Sequence, residues 1–304
     1  MASISPANST VSPVSTAAVS PPAPCFSRCG GQLALFSTAR AEFDWDAQDV
    51  VVVGHSGGKD SSVCLETVCR QANSAGALHK VRVLHCDLGS TPGGYLIEWP
   101  GAAAIARRQA ERYGVPFAIR RSSRWTSLYA RILAHGKWPG FFARYCTSDL
   151  KTTVGRDYID EVGRELNLRR PVRAGYALGM RAEESALRAR KEVVTRHRMT
   201  ARSKRIVDAW LPVHHLDEST VWSTIRDQAL PYHAAYDWGM RRLSCRLCPL
   251  AARNDLVQSA RLNPGLAAEY ARTEAIMGKP FKGNLSMARI IEAANEAPDE
   301  LSIS

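Results

Sequence analysis

Two groups of residues in this 304-residue chain have the types and spacing to do chemistry. The first is Ser56-Gly57-Gly58-Lys59-Asp60-Ser61, directly behind the apolar run Val51-Val52-Val53-Gly54. Paired glycines let a backbone approach an anion closely and adopt positive φ. A helix opening behind them offers free N–H groups and the positive end of its dipole. Ser56 and Ser61 add hydroxyl donors and Lys59 a point charge, so the turn reads as a phosphate cradle at a strand end. The G-x-x-x-x-G-K-[ST] spacing of the Walker loop is not there. The second group is Cys245-Arg246-Leu247-Cys248, with Cys146 far upstream. A C-x-x-C pair presents two thiolates from one turn, and a third from elsewhere gives a ligand set for an iron–sulfur cluster or zinc. Flanking arginines lower thiol pKa values and offset cluster charge.

Positioning these groups calls for alternating strands and helices. The pattern predicts strands at Val50–Gly54, Val81–Cys86, Pro116–Ile119 and Val172–Leu178. It predicts helices at Ser62–Ala72 and Ala102–Tyr113 among them, the latter stopped by Gly114. Such alternation argues an α/β fold, a doubly wound and mostly parallel sheet with helices on both faces. Ligands in such sheets bind at the carboxyl ends of strands, beside a topological switch point. Further on, Asp217 is an N-cap for a helix Glu218–Gln228. Pro264 opens a helix Gly265–Met277, and Ser286–Ala297 reads as a terminal helix. The expected organisation is a disordered tail at 1–43, a nucleotide-binding domain at 44–252 and a helical extension at 253–304.

Composition narrows the function classes. A hydrophobic content of 45% suits an ordinary globular chain. No apolar run of membrane-spanning length appears, so no membrane partner is expected. The net charge of +11 favours polyanionic partners such as nucleotides and nucleic acid. Eight cysteines are too few for a disulfide scaffold. Cys64, Cys69 and Cys86 read as core thiols, which suits a reducing, cytoplasmic setting. The start of the chain is Ser- and Pro-rich with no acid before Glu42. It resembles a transit peptide only weakly, and Cys25 and Cys29 within it read as incidental.

Two further segments complete the pattern. Leu178-Gly179-Met180-Arg181-Ala182-Glu183-Glu184-Ser185 follows the fourth strand, with Arg188 one turn later. Gly179 allows a tight exit, Arg181 and Arg188 can fork onto phosphate or sulfate oxygens, and Glu184 can orient one of them. Then comes a basic run from Arg188 to Arg205, expected to be a mobile loop or a helix closing over a polyanion.

The phrase Ser56–Ser61 resembles the PP-loop of the ATP pyrophosphatases, the adenine-nucleotide α-hydrolases. Gly179–Arg188 and the Arg144-Tyr145-Cys146-Thr147…Lys151 and Gly239-x-x-Arg242-x-x-Cys245-x-x-Cys248-Pro249 segments resemble the PAPS reductase-like branch, over roughly Asp49 to Leu250. The resemblance implies ATP with Mg2+ over the loop, with Lys59, Asp60, Arg181 and Arg188 as catalytic groups. Ser56, Gly57, Gly58, Ser61, Asp87, Gly179, Glu184 and Ser185 would line the nucleotide, Asp87 near adenine and ribose. Cys146, Cys245 and Cys248 would hold an iron–sulfur cluster, or zinc, with His214, His215 or His233 as a possible fourth ligand. Thr147 stands where assimilatory reductases carry a second cysteine, and no cysteine follows Cys248 to attack a sulfonate. The resemblance therefore favours relatives that adenylate an acceptor and insert sulfur into DNA or tRNA, including the DndC-type branch. A sulfur donor such as a cysteine desulfurase, and a homodimer, would be the partners. A sulfonucleotide reductase and a non-catalytic nucleotide- or nucleic-acid-binding subunit are the alternatives.

Overall fold

The computed structural model describes residues 43–296. The expectations for the first 42 residues, including those for Cys25 and Cys29, lie outside the described part. Six strands come in the order β1 (Val50–Gly54), β2 (Val81–Asp87), β3 (Phe117–Arg121), β4 (Val172–Leu178), the short edge strand β5 (Val194–Arg196) and β6 (Arg205–Trp210) among the described residues. They form one sheet in the spatial order β3-β2-β1-β4-β6-β5. Every pairing is parallel except β5 on β6. The chain runs outward from β1 through β2 to β3 and then restarts on the other side at β4. The crevice between β1 and β4 is therefore the switch point.

The valine run explains why β1 is central. Side chains alternate across a strand. Val51 and Val53 enter one core with α1 (Lys59–Ser74), α2 (Ala102–Arg112) and α7 (Glu218–Asp227). Val50 and Val52 enter another, against Tyr158, Ile159 and Val162 of α5 (Thr153–Glu165). Burial on both faces requires a continuous apolar strand rather than an alternating one. A third core lies off the sheet. It joins α3 (Leu128–His135) and the short α4 (Tyr145–Thr147) to α8 (Arg253–Leu262), α9 (Pro264–Met277) and α10 (Met287–Asn295). Leu128, Ile132, Tyr145, Leu256, Leu266, Tyr270 and Ile290 meet there. The helices after residue 252 thus build the wall against which the cysteines lie.

Several expectations need correction. The helix expected from Ser62 begins at Lys59, so Lys59, Asp60 and Ser61 form its first turn. Phe43, assigned to the tail, is buried and stacks on Trp210 at a centroid distance of 4.0 Å. Gly175 makes room for it, since a Cβ there would stand 2.5 Å from the ring. The basic run forms no long helix, and turns between residues 197 and 204 separate its short regular pieces. It folds into a short helix α6 (Ala186–Ala189), edge strand β5 and the start of β6. Two of its charges are built into the fold: Arg205 donates to Asp160 at 2.7 Å and to the Met199 carbonyl at 2.8 Å, and Arg196 pairs with Asp208 at 3.1 Å. Charge on an edge strand also discourages pairing with another chain.

Candidate nucleotide and thiol site

The turn between β1 and α1 is shaped from within. Gly57 has φ of +76°, and a Cβ there would stand 2.6 Å from the Ala102 carbonyl oxygen. His55, directly upstream, is buried and sets the turn. Its Nε2 donates to Gln109 Oε1 at 2.8 Å, so Nδ1 is free to accept from the Gly57 N–H at 3.0 Å. Burial drives its pKa down to about 4, with the neighbouring His85 charge pushing the same way and the Gln109 bond opposing it. The neutral ring is what the Gly57 N–H requires. Ser61 Oγ donates to the Gly58 carbonyl at 2.8 Å and accepts from the Ser56 N–H at 3.3 Å.

A distant segment covers this turn. Tyr236 Oη accepts from the Lys59 N–H at 2.9 Å, and Lys59 Nζ donates to the Arg241 carbonyl at 2.9 Å. Lys59 Nζ also stands 3.3 Å from Glu218 and 5.3 Å from the Tyr236 ring centre, and the side chain is 3% exposed. The Leu243 carbonyl lies 3.4 Å from where a Gly58 Cβ would be. The helix-start donor that an anion would use is therefore capped by a phenol hydroxyl from residues 236–243.

The second motif docks onto the first. A Cβ on Gly179 would stand 2.6 Å from the Asp60 carbonyl oxygen and 2.9 Å from the Ser61 nitrogen, so only glycine lets the β4 exit pass. Arg181 Nε donates to Asp60 Oδ1 at 2.6 Å, and the guanidinium also pairs with Glu183. Burial opposes the charge on Arg181, but Asp60 and Glu183 more than offset it. Glu184 accepts from the Arg181 N–H at 3.0 Å, pairs with Arg188 and stands 3.5 Å from Arg242. Arg188 is lowered by burial and by the like charges of Arg242 and Arg144, against the pull of Glu184. Ser185 caps α6 by accepting from the Arg188 N–H at 3.3 Å. Asp87 serves its own turn: Oδ1 accepts from the Gly89 N–H at 2.7 Å and Oδ2 pairs with Arg121.

The third group lies where the sheet meets the helical core. Cys146, Cys245 and Cys248 line one small hollow of about 20 Å³ with Leu128, Ile132 and Tyr270. Cys146 sits just ahead of a π-helical turn, Ser148–Thr152, inserted between α4 and α5. Such bulges recur at functional sites. Burial opposes the charge on Lys151, but Cys245, Glu98, Cys86 and Cys146 together raise its pKa. The Cys248 thiol is held below its ordinary range by its interaction with Cys245, with the Leu250 N–H, Lys151 and Arg242 assisting against burial. The Cys245 thiol is correspondingly raised. Burial pushes Cys86 up to about 12, in keeping with a core thiol.

As donors, three thiols beside an ammonium suit a soft metal. As placed, they share a wall rather than a coordination sphere: among the described residues no three Cys, His, Asp or Glu side chains stand at metal-binding spacing. No histidine lines the hollow. His214 bonds the Arg188 carbonyl at 2.8 Å through Nε2. Both ring nitrogens of His233 are used, on the Pro100 carbonyl and the Ala235 N–H. Neither is a fourth ligand in this arrangement.

Tyr236, Arg241, Glu218, His55, Arg144 and Lys151 were not singled out as site residues from the sequence. Only Arg144 and Lys151 had a signal, their place in the Arg-x-Cys-Thr…Lys segment. No helix among the described residues is long and apolar enough to cross a membrane.

No curated protein matches this sequence. Among solved structures, the phosphoadenylyl-sulfate (PAPS) reductase of Candida auris in its phosphate complex shares 16% identity at a TM-score of 0.41, over 64% of this chain and 80% of its own. The FMN adenylyltransferase of Candida glabrata with FAD and inorganic pyrophosphate shares 11% at 0.40, over 66% of this chain and only 57% of its own. The U34-tRNA thiolase NcsA of Methanococcus maripaludis with its [4Fe-4S] cluster shares 14% at 0.39, over 81% of this chain and 74% of its own. The assignment rests instead on a domain match: residues 50–251, more than half of the chain, match the phosphoadenosine phosphosulfate reductase domain, and the chain belongs to that family.

Proposed function

We propose that this protein is an ATP pyrophosphatase that adenylates an acceptor on nucleic acid for sulfur insertion. One observation carries the reading. The Ser56–Ser61 turn lies at the carboxyl end of β1, at the β1/β4 switch point, with Gly179 and Arg181 of the second motif locked against it. That is where an α/β sheet binds a nucleotide. The triphosphate tail would displace the Tyr236 hydroxyl from the Lys59 N–H, exchanging a neutral acceptor for a charged one, which roughly doubles the strength of such a bond. Residues 236–243 must yield for it to enter.

In this reading an acceptor oxygen attacks the α-phosphorus. The bond to the bridging oxygen breaks and pyrophosphate leaves with the electron pair. Lys59, the α1 amides and Ser61 stabilise the departing charge. Asp60 would hold Mg2+, and Arg188, with Arg144 and Arg242 close by, would take the α-phosphate or the acceptor's phosphate. Cys146, Cys245 and Cys248 would have to draw together from their shared wall to hold an iron–sulfur cluster, or zinc, and a cluster there would supply a carrier for the incoming sulfur. Lys151 would balance the negative charge of the thiolates. A cytoplasmic setting and a cysteine desulfurase as sulfur donor accompany the reading. The test is to supply MgATP and sulfide with mixed RNA or DNA and measure pyrophosphate, released on adenylation, and AMP, displaced by the sulfur. Their release in equal amounts is the expected result. Sulfite release from PAPS or APS without ATP use would replace this reading with sulfonucleotide reduction.

A further inference from the structure

The most conspicuous surface feature lies just upstream of Cys146. Gly140 and Ala143 exchange two backbone bonds, the Gly140 N–H to the Ala143 carbonyl at 3.3 Å and the Ala143 N–H to the Gly140 carbonyl at 3.2 Å. They close a four-residue turn whose two central residues are Phe141 and Phe142. Turn centres normally carry Gly, Pro, Asn or Asp. Phe142 is 99% exposed and Phe141 54%. The rings stand edge to face at 5.2 Å and 86°. Leaving two phenyl rings in water forgoes the stabilisation of burying them, and any small polar pair would make the turn. A local rule broken without structural gain points to function.

The surroundings select the occupant. The Arg144 guanidinium lies 5.2 Å over the Phe141 ring. Nearby, Arg188 pairs with Glu184 and Arg242 stands 3.5 Å from the same carboxylate. Pro139, at the foot of the turn, lines the thiol hollow with Cys146. Aromatic faces beside a guanidinium cluster are what an unpaired base with its phosphates requires. Arg188 and Arg242 share the single carboxylate of Glu184, so an anionic partner is favoured over a purely apolar one.

We propose that the turn Gly140–Ala143 is a stacking platform on which Phe141 and Phe142 receive unpaired bases of a single-stranded nucleic acid, whose phosphates fall on Arg144, Arg188 and Arg242. This deepens the reading above, from which it takes nucleic acid as the acceptor. It narrows that acceptor to unpaired nucleotides, held beside the thiol hollow.

The experiment is fluorescence anisotropy of the full-length chain with labelled mixed-sequence single-stranded RNA, single-stranded DNA, the matching duplexes and an abasic single strand. The intact strands should bind at least tenfold tighter than the abasic strand or duplex. The RNA and DNA arms show which backbone is preferred. Phe142→Ala should weaken single-strand binding roughly tenfold and leave the salt dependence unchanged, while Phe142→Trp should retain binding. Phe142→Leu, which keeps apolar area without a π-face, should behave as the alanine variant. Arg144→Gln should instead lower the salt slope. Both phenylalanines are solvent-exposed, so an unaltered thermal melt will show the variants folded. Equal binding by wild type and the Phe141→Ala/Phe142→Ala double variant overturns the proposal. So does self-association that Phe142→Ala abolishes without altering oligonucleotide affinity, which would make the turn an interface between copies. Phenylalanine-dependent binding without pyrophosphate release from ATP would leave the platform standing and remove the enzymatic reading. Pyrophosphate release unaffected by the double variant would do the reverse.

Discussion

At the residue scale, the site is held by a few side chains whose charge states are fixed by burial. His55 is the clearest. In the unfolded chain it titrates at its ordinary value of 6.5, and in the fold at about 4. Its folded pKa is depressed, so its contribution is fully present above pH 6.5 and is lost as pH falls toward 4. The size is about 3 kcal/mol. His85 works in the opposite sense. Burial opposes its charge, but Glu98 and the His55 carbonyl raise it, so its contribution weakens as pH rises above 6.5. Between pH 6.5 and 4 the wild type should therefore lose more stability than His55→Gln, as read by thermal melts across that window. The Asp60–Arg181 pair is the second case. Arg181 is 4% exposed, and removing one partner leaves a buried charge poorly matched. Asp60→Asn should cost about 3 kcal/mol. The double-mutant cycle with Arg181→Gln should show coupling above about 1 kcal/mol, which denaturant unfolding would measure.

At the element scale, what matters is how closely three strand exits and one late segment approach each other. Gly179→Ala would drive a methyl group into the first turn of α1, with backbone on both sides. It should cost about 1–3 kcal/mol and misplace the loop, visible as a lower melting temperature and weaker nucleotide binding. Residues 236–243 act as a cover. Tyr236→Phe removes the hydroxyl that occupies the Lys59 N–H. It should cost about 1 kcal/mol of stability and yet bind ATP more tightly, a combination that calorimetry of the two proteins would reveal. The strands β1, β2 and β4 were legible because doubly buried strands are continuous apolar runs. Strands β5 and β6 were not, because arginines with partners elsewhere in the fold hid their pattern. The π-helical turn leaves no periodic trace, since one extra residue in a helix looks like an ordinary shift of phase. The contacts of Lys59 with Arg241 and Tyr236 join residues far apart in the chain and have no local signature.

At the scale of the whole molecule, a basic chain brings the Ser56–Ser61 turn and the Arg181 segment to the exits of β1 and β4 and lays three thiols against the core of its later helices. The loop and the cysteines were legible from residue type and order. That the C-terminal helices form the wall beside the thiols was not, because the third core draws on segments from Leu128 to Ile290. The central claim is that the Ser56–Ser61 turn grips the β- and γ-phosphates of a nucleotide. The direct measurement is the affinity of the wild type and of Lys59→Ala for ATP, ADP and AMP with Mg2+, by titration calorimetry. The account predicts that ATP binds the wild type at least tenfold tighter than AMP and that Lys59→Ala loses most of that difference. Equal affinity for ATP and AMP in the wild type would contradict it.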